Sequence, residues 1–130
     1  MLKIENLSIS FKGNQGIINA VNNVSLNIAK GKSLGLVGES GSGKSVTALS
    51  IIQLLPKQAI IENGKILFNE TDMLSLTSRE LRKIRGSKIS MIFQEPMTSL
   101  NPVMRCGQQV AEVFFTHQKL SKKEAKSQII

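Results

Sequence analysis

The sequence predicts a mixed α/β chain, with an antiparallel β portion beside a strand-loop-helix unit and the start of a helical subdomain after it. Three observations lead there. Two apolar-alternating segments fill the first thirty residues. A short apolar run, Leu34, Gly35, Leu36 and Val37, then leads straight into a glycine-rich stretch. From Val46 onward the apolar residues recur at helical spacing.

Taken in order, Leu2, Ile4, Leu7, Ile9 and Phe11 favour one face of an extended segment, and Lys12, Gly13 and Asn14 turn the chain. Val24, Leu26 and Ile28 mark a second alternating segment, turned back by residues 29–32, so the two read as antiparallel strands. The run 34–37 suits a strand buried on both faces of a parallel sheet. Val46, Leu49, Ile52 and Leu55 then define a helix from Gly43 to about Leu55, stopped by Pro56. Asn63 and Gly64, between Ile60-Ile61 and Ile66-Leu67-Phe68, predict a tight hairpin. Thr77 with Glu80 forms a capping box for a short helix through Arg85, which Gly86 is placed to stop. Residues 89–93 read as another strand, ending in Gln94, Glu95 and Pro96. A helix near residues 107–118 would put Val110, Val113 and Phe114 on one face. Ser121 and Glu124 give a second capping box, and the following helix reaches Ile129 and Ile130 with no stop signal, which predicts a truncated chain.

Composition narrows the function classes. With 130 residues, 41% of them hydrophobic, the chain can bury a real core as one domain. The N-terminus interleaves charge with apolar residues, unlike a secretory signal, and no apolar run approaches the roughly 20 residues of a membrane span. The single cysteine, Cys106, cannot form an internal disulfide, which fits a reducing compartment; no positioned base accompanies it, so it reads as structural rather than nucleophilic. The net charge of +8 gathers at Arg79, Arg82, Lys83, Arg85 and Lys88, and at Lys119, Lys122, Lys123 and Lys126. There is no Tyr or Trp and no nucleic-acid motif, so a solvated basic face, or contact with a partner at a membrane surface, is the better reading than nucleic acid.

The chemistry concentrates in Gly38, Glu39, Ser40, Gly41, Ser42, Gly43, Lys44 and Ser45, which fit G-x-x-x-x-G-K-[ST] at every specified position. By chance those residues at those offsets arise in about one in a few hundred chains of this size. A triphosphate crowds negative charge, and successive backbone N–H groups surround it only where side chains do not intervene. The helix starting at the loop adds its free N–H groups and positive dipole end, so Lys44, Ser45, Val46 and Thr47 are all expected to donate from the backbone. Lys44 is expected to reach the β- and γ-phosphates, and the Ser45 hydroxyl to ligate Mg²⁺. A dinucleotide fingerprint fails, because Val46 stands where its third glycine should fall.

Residues 91–102, Met-Ile-Phe-Gln-Glu-Pro-Met-Thr-Ser-Leu-Asn-Pro, carry a resemblance. A strand, Gln94 and this tail look like the Q-loop of an ATP-binding cassette (ABC) transporter subunit, and the run from Phe93 to Pro102 is similar to that of the oligopeptide, dipeptide and nickel importers. Residues 37–45 are also that branch's usual phosphate loop, and the likeness extends over essentially all 130 residues. A degenerate Walker B is the competing reading of the strand end, ranked lower because Gln94-Glu95 offers no Asp.

The resemblance implies that the chain binds ATP with Mg²⁺, that Gln94 contacts the metal or the attacking water, and that Phe11 stands where the family puts a ring against adenine. An ordinary core role for Phe11 competes with the last. A side-chain amide suits Gln94's part, since it accepts through oxygen and donates through nitrogen. It also implies transmembrane permease partners, a second ATP-binding subunit, identical or not, and a peripheral position on the cytoplasmic face of the cell membrane. The family's Leu-Ser-Gly-Gly-Gln signature, Walker B Asp, catalytic Glu and switch His have no counterpart here; His117 precedes that region and reads as a helix-surface residue. The expectation is therefore the N-terminal part of one nucleotide-binding domain over residues 1–130, energising import of peptides or nickel in its parent. Nucleotide binding without turnover, or a different small P-loop enzyme such as a kinase, are the alternatives.

Overall fold

A computed structural model describes residues 1–13, 16–94, 100–118 and 124, in two compact units that meet between Leu81 and Arg82. Asn14, residues 95–99, Ser121, the second lysine cluster and the terminal isoleucines lie outside the described residues.

In the first unit β1 (Leu2–Gly13) and β2 (Gly16–Ile28) pair antiparallel, as their alternation predicts, and β3 (Ala59–Phe68) adds to the other side of β1. With the short β4 (Thr71–Asp72) the order is β2-β1-β3-β4. Ile4, Leu7, Ile9 and Ile66 are all fully buried, although a plain pleat would send Ile4 and Leu7 to opposite faces. A bulge reconciles them. The β1 register slips between Ile4 and Leu7, and Asn6 takes a positive φ of 49°, so the alternation restarts with Leu7 facing inward. Asn23 at φ 49° does the same in β2. Each bulge leaves an N–H without a ladder partner, and a serine across the strand pair accepts it: Asn6 N–H donates to Ser25 Oγ (2.9 Å) and Asn23 N–H to Ser8 Oγ (3.0 Å).

Asn63 and Gly64 do not form the expected hairpin. Both lie inside β3, where Glu5 pairs with Lys65 and Ser8 with Asn63, so Asn6 and Leu7 together face Gly64. A Cβ on Gly64 would come within 2.6 Å of Leu7 Cα, and its φ of 116° is one that glycine tolerates. The backbone freedom that signals a tight turn is spent here on a bulge and a close strand approach.

The helix α1 (Lys44–Ile51) follows the glycine-rich stretch and ends four residues short of Leu55. Gln53 turns left-handed at φ 50°, Leu54 N–H reaches back to Leu49 O (3.0 Å), and the Gln53 side-chain amide donates to Met73 O. Pro56 disfavours helix for the residue before it, so the chain leaves early. Ile52 and Met73 are buried here and extend the apolar core, each burial contributing about 1.5 to 3 kcal/mol.

Residues 34–37 are not a buried strand in this structure. No pairing in the four-stranded sheet involves them, and Leu34, Leu36 and Val37 are exposed, Val37 by 93%. Strands exist through their partners, and an apolar run with no neighbouring strand stays irregular.

After a 3₁₀ turn (Met73–Ser75), α2 (Ser78–Ile84) begins on the predicted capping box: Thr77 N–H donates to Glu80 Oε2 (2.8 Å) and Glu80 N–H to Thr77 Oγ1 (3.4 Å). Leu81 is its buried residue. In the second unit Ser87, Lys88 and Ile89 all send their N–H groups back to Ile84 O, which closes α2 at Ile84. Residues 89–93 are not the predicted strand. Only an isolated bridge between Arg85 and Ile89 forms, while Ile92 is 97% exposed. α3 (Cys106–His117) agrees with its predicted span to within a residue. Its buried residue is Ala111; Val110 and Val113 are exposed and Phe114 half-buried, so the predicted apolar face is not covered among the described residues.

Candidate functional site

The site is built by β2 and the N-terminus of α1 within the first unit. Between Val21 and Asn19 the β2 register slips again, with Ala20 as the extra residue opposite Ile9 and Ser10. That bulge brings the strand backbone against Gly43, the helix N-cap at φ 86° and ψ 1°. A Cβ on Gly43 would lie 2.4 Å from Ala20 O and 3.2 Å from Val21 Cγ2, so only glycine allows this approach at this conformation.

The cap carries no side-chain hydrogen bond, and the first turn of α1 holds no acidic residue. Thr47 is the first residue whose N–H is satisfied within the helix, donating to Gly43 O at 2.8 Å, with its hydroxyl on the same oxygen at 2.9 Å. Thr47 is therefore committed inward, which corrects the expectation that its N–H is available. By helix geometry the amides of Gly43, Lys44, Ser45 and Val46 have no intrahelical acceptor. They open on a concavity of about 130 Å³ lined by Ala20 and residues 41–46.

Lys44 folds back over the loop. Its Nζ donates to Gly38 O (2.8 Å), Glu39 O (2.6 Å) and Ser42 Oγ (3.1 Å), and Ser42 N–H closes the turn onto Glu39 O at 3.3 Å. The ammonium has three protons, and all three have acceptors. Its charge is thus held beside the uncapped helix end, and both favour an anion there. Ser45 is exposed at the rim, with a hydroxyl oxygen of the kind a hard cation takes. Glu39 and Ser40 are exposed on the loop, outside the concavity lining.

Phe11 is half-buried on β1, paired with Ile18 and Ala59, and is not part of that lining. Gln94 belongs to the second unit, exposed at a bend. Sequence reasoning missed two positioning residues. Ala20 carries no signal beyond its place in an alternating segment. Gln109 of α3 clamps the tail after Gln94, accepting from Asn101 N–H (2.7 Å) and donating to Asn101 O (2.9 Å) and Met104 O (3.0 Å). His117 is half-buried rather than a free surface residue, with Nε2 3.0 Å from where a Cβ on Gly86 would stand, and Cys106 is exposed.

The family profile described as ABC transporter matches residues 21–130. The chain belongs to the ABC transporter family. It is 45% identical over its whole length to the oligopeptide transport ATP-binding protein OppD of Bacillus subtilis (strain 168), covering 37% of that protein. It is 47% identical over its whole length to the probable D,D-dipeptide transport ATP-binding protein DdpD of Escherichia coli (strain K12), covering 40% of it. With the dipeptide transport ATP-binding protein DppD of Lactococcus lactis subsp. cremoris (strain MG1363) it shares 48% over 96% of the chain and 36% of the relative. The chain thus spans about two-fifths of the length of these relatives. Among solved structures, the dimeric ATP-binding cassette MJ0796 bound to ADP and Pi in a post-hydrolysis state is similar at a TM-score of 0.83 and 30% identity, over 99% of this chain and 54% of that one. The fold is that of an ABC cassette, as an antiparallel β portion joined to a P-loop and helix predicts. Among the described residues no helix is long and apolar enough to cross a membrane.

Proposed function

We propose that this chain supplies the phosphate-binding part of an ATP-binding subunit that energises uptake of dipeptides or oligopeptides through a transmembrane permease. The observation that carries the reading is the bare N-terminus of α1, with Lys44 held beside it and no acidic side chain in the first turn to compete with phosphate. The amides of residues 43–46 bind the β-phosphate region and Lys44 the β- and γ-phosphates. Each charge-assisted hydrogen bond contributes about 1.5 to 3 kcal/mol. Phe11, near the turn end of the β1–β2 pair, stacks on the base.

Magnesium fits the donor set. Ser45, exposed beside the loop, would hold the ion through its hydroxyl, an oxygen ligand of the kind this hard cation takes. When bound, it neutralises charge on the β- and γ-oxygens. Gln94, in the second unit, carries a side-chain amide whose oxygen can accept from water or ligate a hard cation and whose N–H₂ can donate.

The names of the relatives favour peptide over nickel as the cargo. The partners are the permease and a second ATP-binding subunit, with the protein peripheral on the cytoplasmic face. The test is uptake. The complete protein and its permease, reconstituted in vesicles, should accumulate a labelled oligopeptide only with ATP, and Lys44→Ala should abolish it. ATP-independent uptake, or transport of nickel without peptide, contradicts the reading.

A further inference from the structure

The first turn of α3 carries a side chain whose amide is spent entirely on one turn of backbone. Gln109 accepts from Asn101 N–H (2.7 Å) through Oε1 and donates through Nε2 to Asn101 O (2.9 Å) and Met104 O (3.0 Å). The turn also closes on itself, with Met104 N–H donating to Asn101 O (3.1 Å) and Val103 N–H to Asn101 Oδ1 (3.1 Å). Pro102 has no N–H, so every N–H from Asn101 to Met104 has an acceptor.

The apolar side chains of the same stretch take no part in holding it. Leu100, Val103 and Met104 are all exposed, Val103 by 88%. A turn shaped by packing would bury them; this one is shaped by a polar staple and leaves them in water. Such a surface is prepared for a partner in two ways. A contact fixed beforehand loses less conformational freedom on binding. Covering the turn also strips water from its backbone, and groups that already have hydrogen-bond partners are not left unsatisfied.

We propose that Gln109 is a positioning residue for transport, fixing the Asn101–Met104 turn so that Val103 and Met104 meet the permease as a preformed apolar contact. The inference rests on the transport reading above, which names the permease as a partner, and adds to it the residue that shapes the contact. The rival cover for Val103 is another part of the complete protein. A surface buried during folding is shaped by that packing, however, and gains little from a staple that saturates its backbone first.

The experiment adds the complete protein to vesicles that hold the permease alone, and reads ATP-dependent uptake of a labelled oligopeptide against the concentration of added protein. Gln109→Ala, and Gln109→Glu, which keeps an acceptor but neither donor, should each raise the half-saturating concentration about tenfold. Maximal uptake and Mg-ATP affinity should stay within about twofold, a split between binding and turnover that a misfolded variant does not show. Val103→Asp should also raise the half-saturating concentration, with little further effect in the Gln109→Ala background, because both act on one contact. Half-saturation unchanged in both Gln109 variants overturns the positioning role and leaves the transport reading standing. Parallel losses of Mg-ATP affinity, thermal stability and maximal uptake overturn it in favour of a structural part for Gln109. A lowered melting temperature of free Val103→Asp, with half-saturation unchanged, assigns the cover to the protein's own chain and overturns the permease contact. Absence of ATP-dependent uptake by the unmodified protein overturns the transport reading itself.

Discussion

Ala20 O lies 2.4 Å from the position a Cβ on Gly43 would occupy, so a bulged β-strand and a helix N-cap share one close backbone contact. The strand's irregularity fixes where the helix starts, and the helix start fixes where its free amides point. Gly43→Ala should therefore cost about 1 to 3 kcal/mol of stability through strain and backbone displacement, and should weaken triphosphate binding as well. Gly41→Ala is the control: its φ of 81° is also left-handed, yet nothing lies within 4 Å of its Cβ. It should cost only about 1 to 2 kcal/mol. Thermal unfolding of the two variants checks this, and equal losses would deny the Ala20 contact any part.

Lys3 donates to the Glu5 carboxylate at 2.5 Å and holds the Glu5 pKa below its ordinary value, with Lys65, its cross-strand partner, adding a smaller effect. A depressed folded pKa stabilises above the unfolded value, and that contribution is lost as pH falls through the folded one. In Lys3→Ala the Glu5 titration midpoint, followed by carboxyl NMR shifts, should rise. An unchanged midpoint would mean that Lys3 is not the cause.

The start of α1 directly after Gly43 and the Thr77-Glu80 capping box were both legible in the sequence, because each is set by residues within eight positions of one another. Asn63-Gly64 was read wrongly for a physical reason. Its conformational freedom serves a hairpin or a bulge equally well, and the choice lies with Leu7, more than fifty residues earlier. Residues 34–37 and 89–93 failed in a related way, since an apolar run becomes a strand only beside other strands. The Ala20 carbonyl was beyond reach, because the β2 bulge that aims it depends on register with β1.

Phe11→Ala should weaken ATP binding more than binding of inorganic triphosphate, since only ATP has a base to stack. Base stacking on an aromatic ring is worth about 1 to 3 kcal/mol, so ATP should lose roughly fivefold or more while triphosphate changes little. Equal losses in parallel titrations would assign Phe11 to the strand core, beside Ile18 and Ala59.

The lining of the concavity includes no carboxylate to orient a water molecule. The isolated chain should therefore hydrolyse essentially no ATP, and its exposed Leu34, Leu36 and Val37 should make it prone to associate and a poor nucleotide binder. Phosphate release by purified monomer checks this. Turnover above buffer background that disappears in Lys44→Ala would point instead to a compact P-loop enzyme, with Glu95 the first residue to examine.

The central claim is that the loop of residues 38–45, closed by Lys44 and opened on the bare end of α1, binds nucleotide phosphates. Titration of the complete protein and of its Lys44→Ala variant with Mg-ATP in a calorimeter tests it most directly. Removing one charge-assisted contact of about 1.5 to 3 kcal/mol predicts roughly ten- to a hundredfold weaker binding. An unchanged affinity in a folded Lys44→Ala variant would contradict the account.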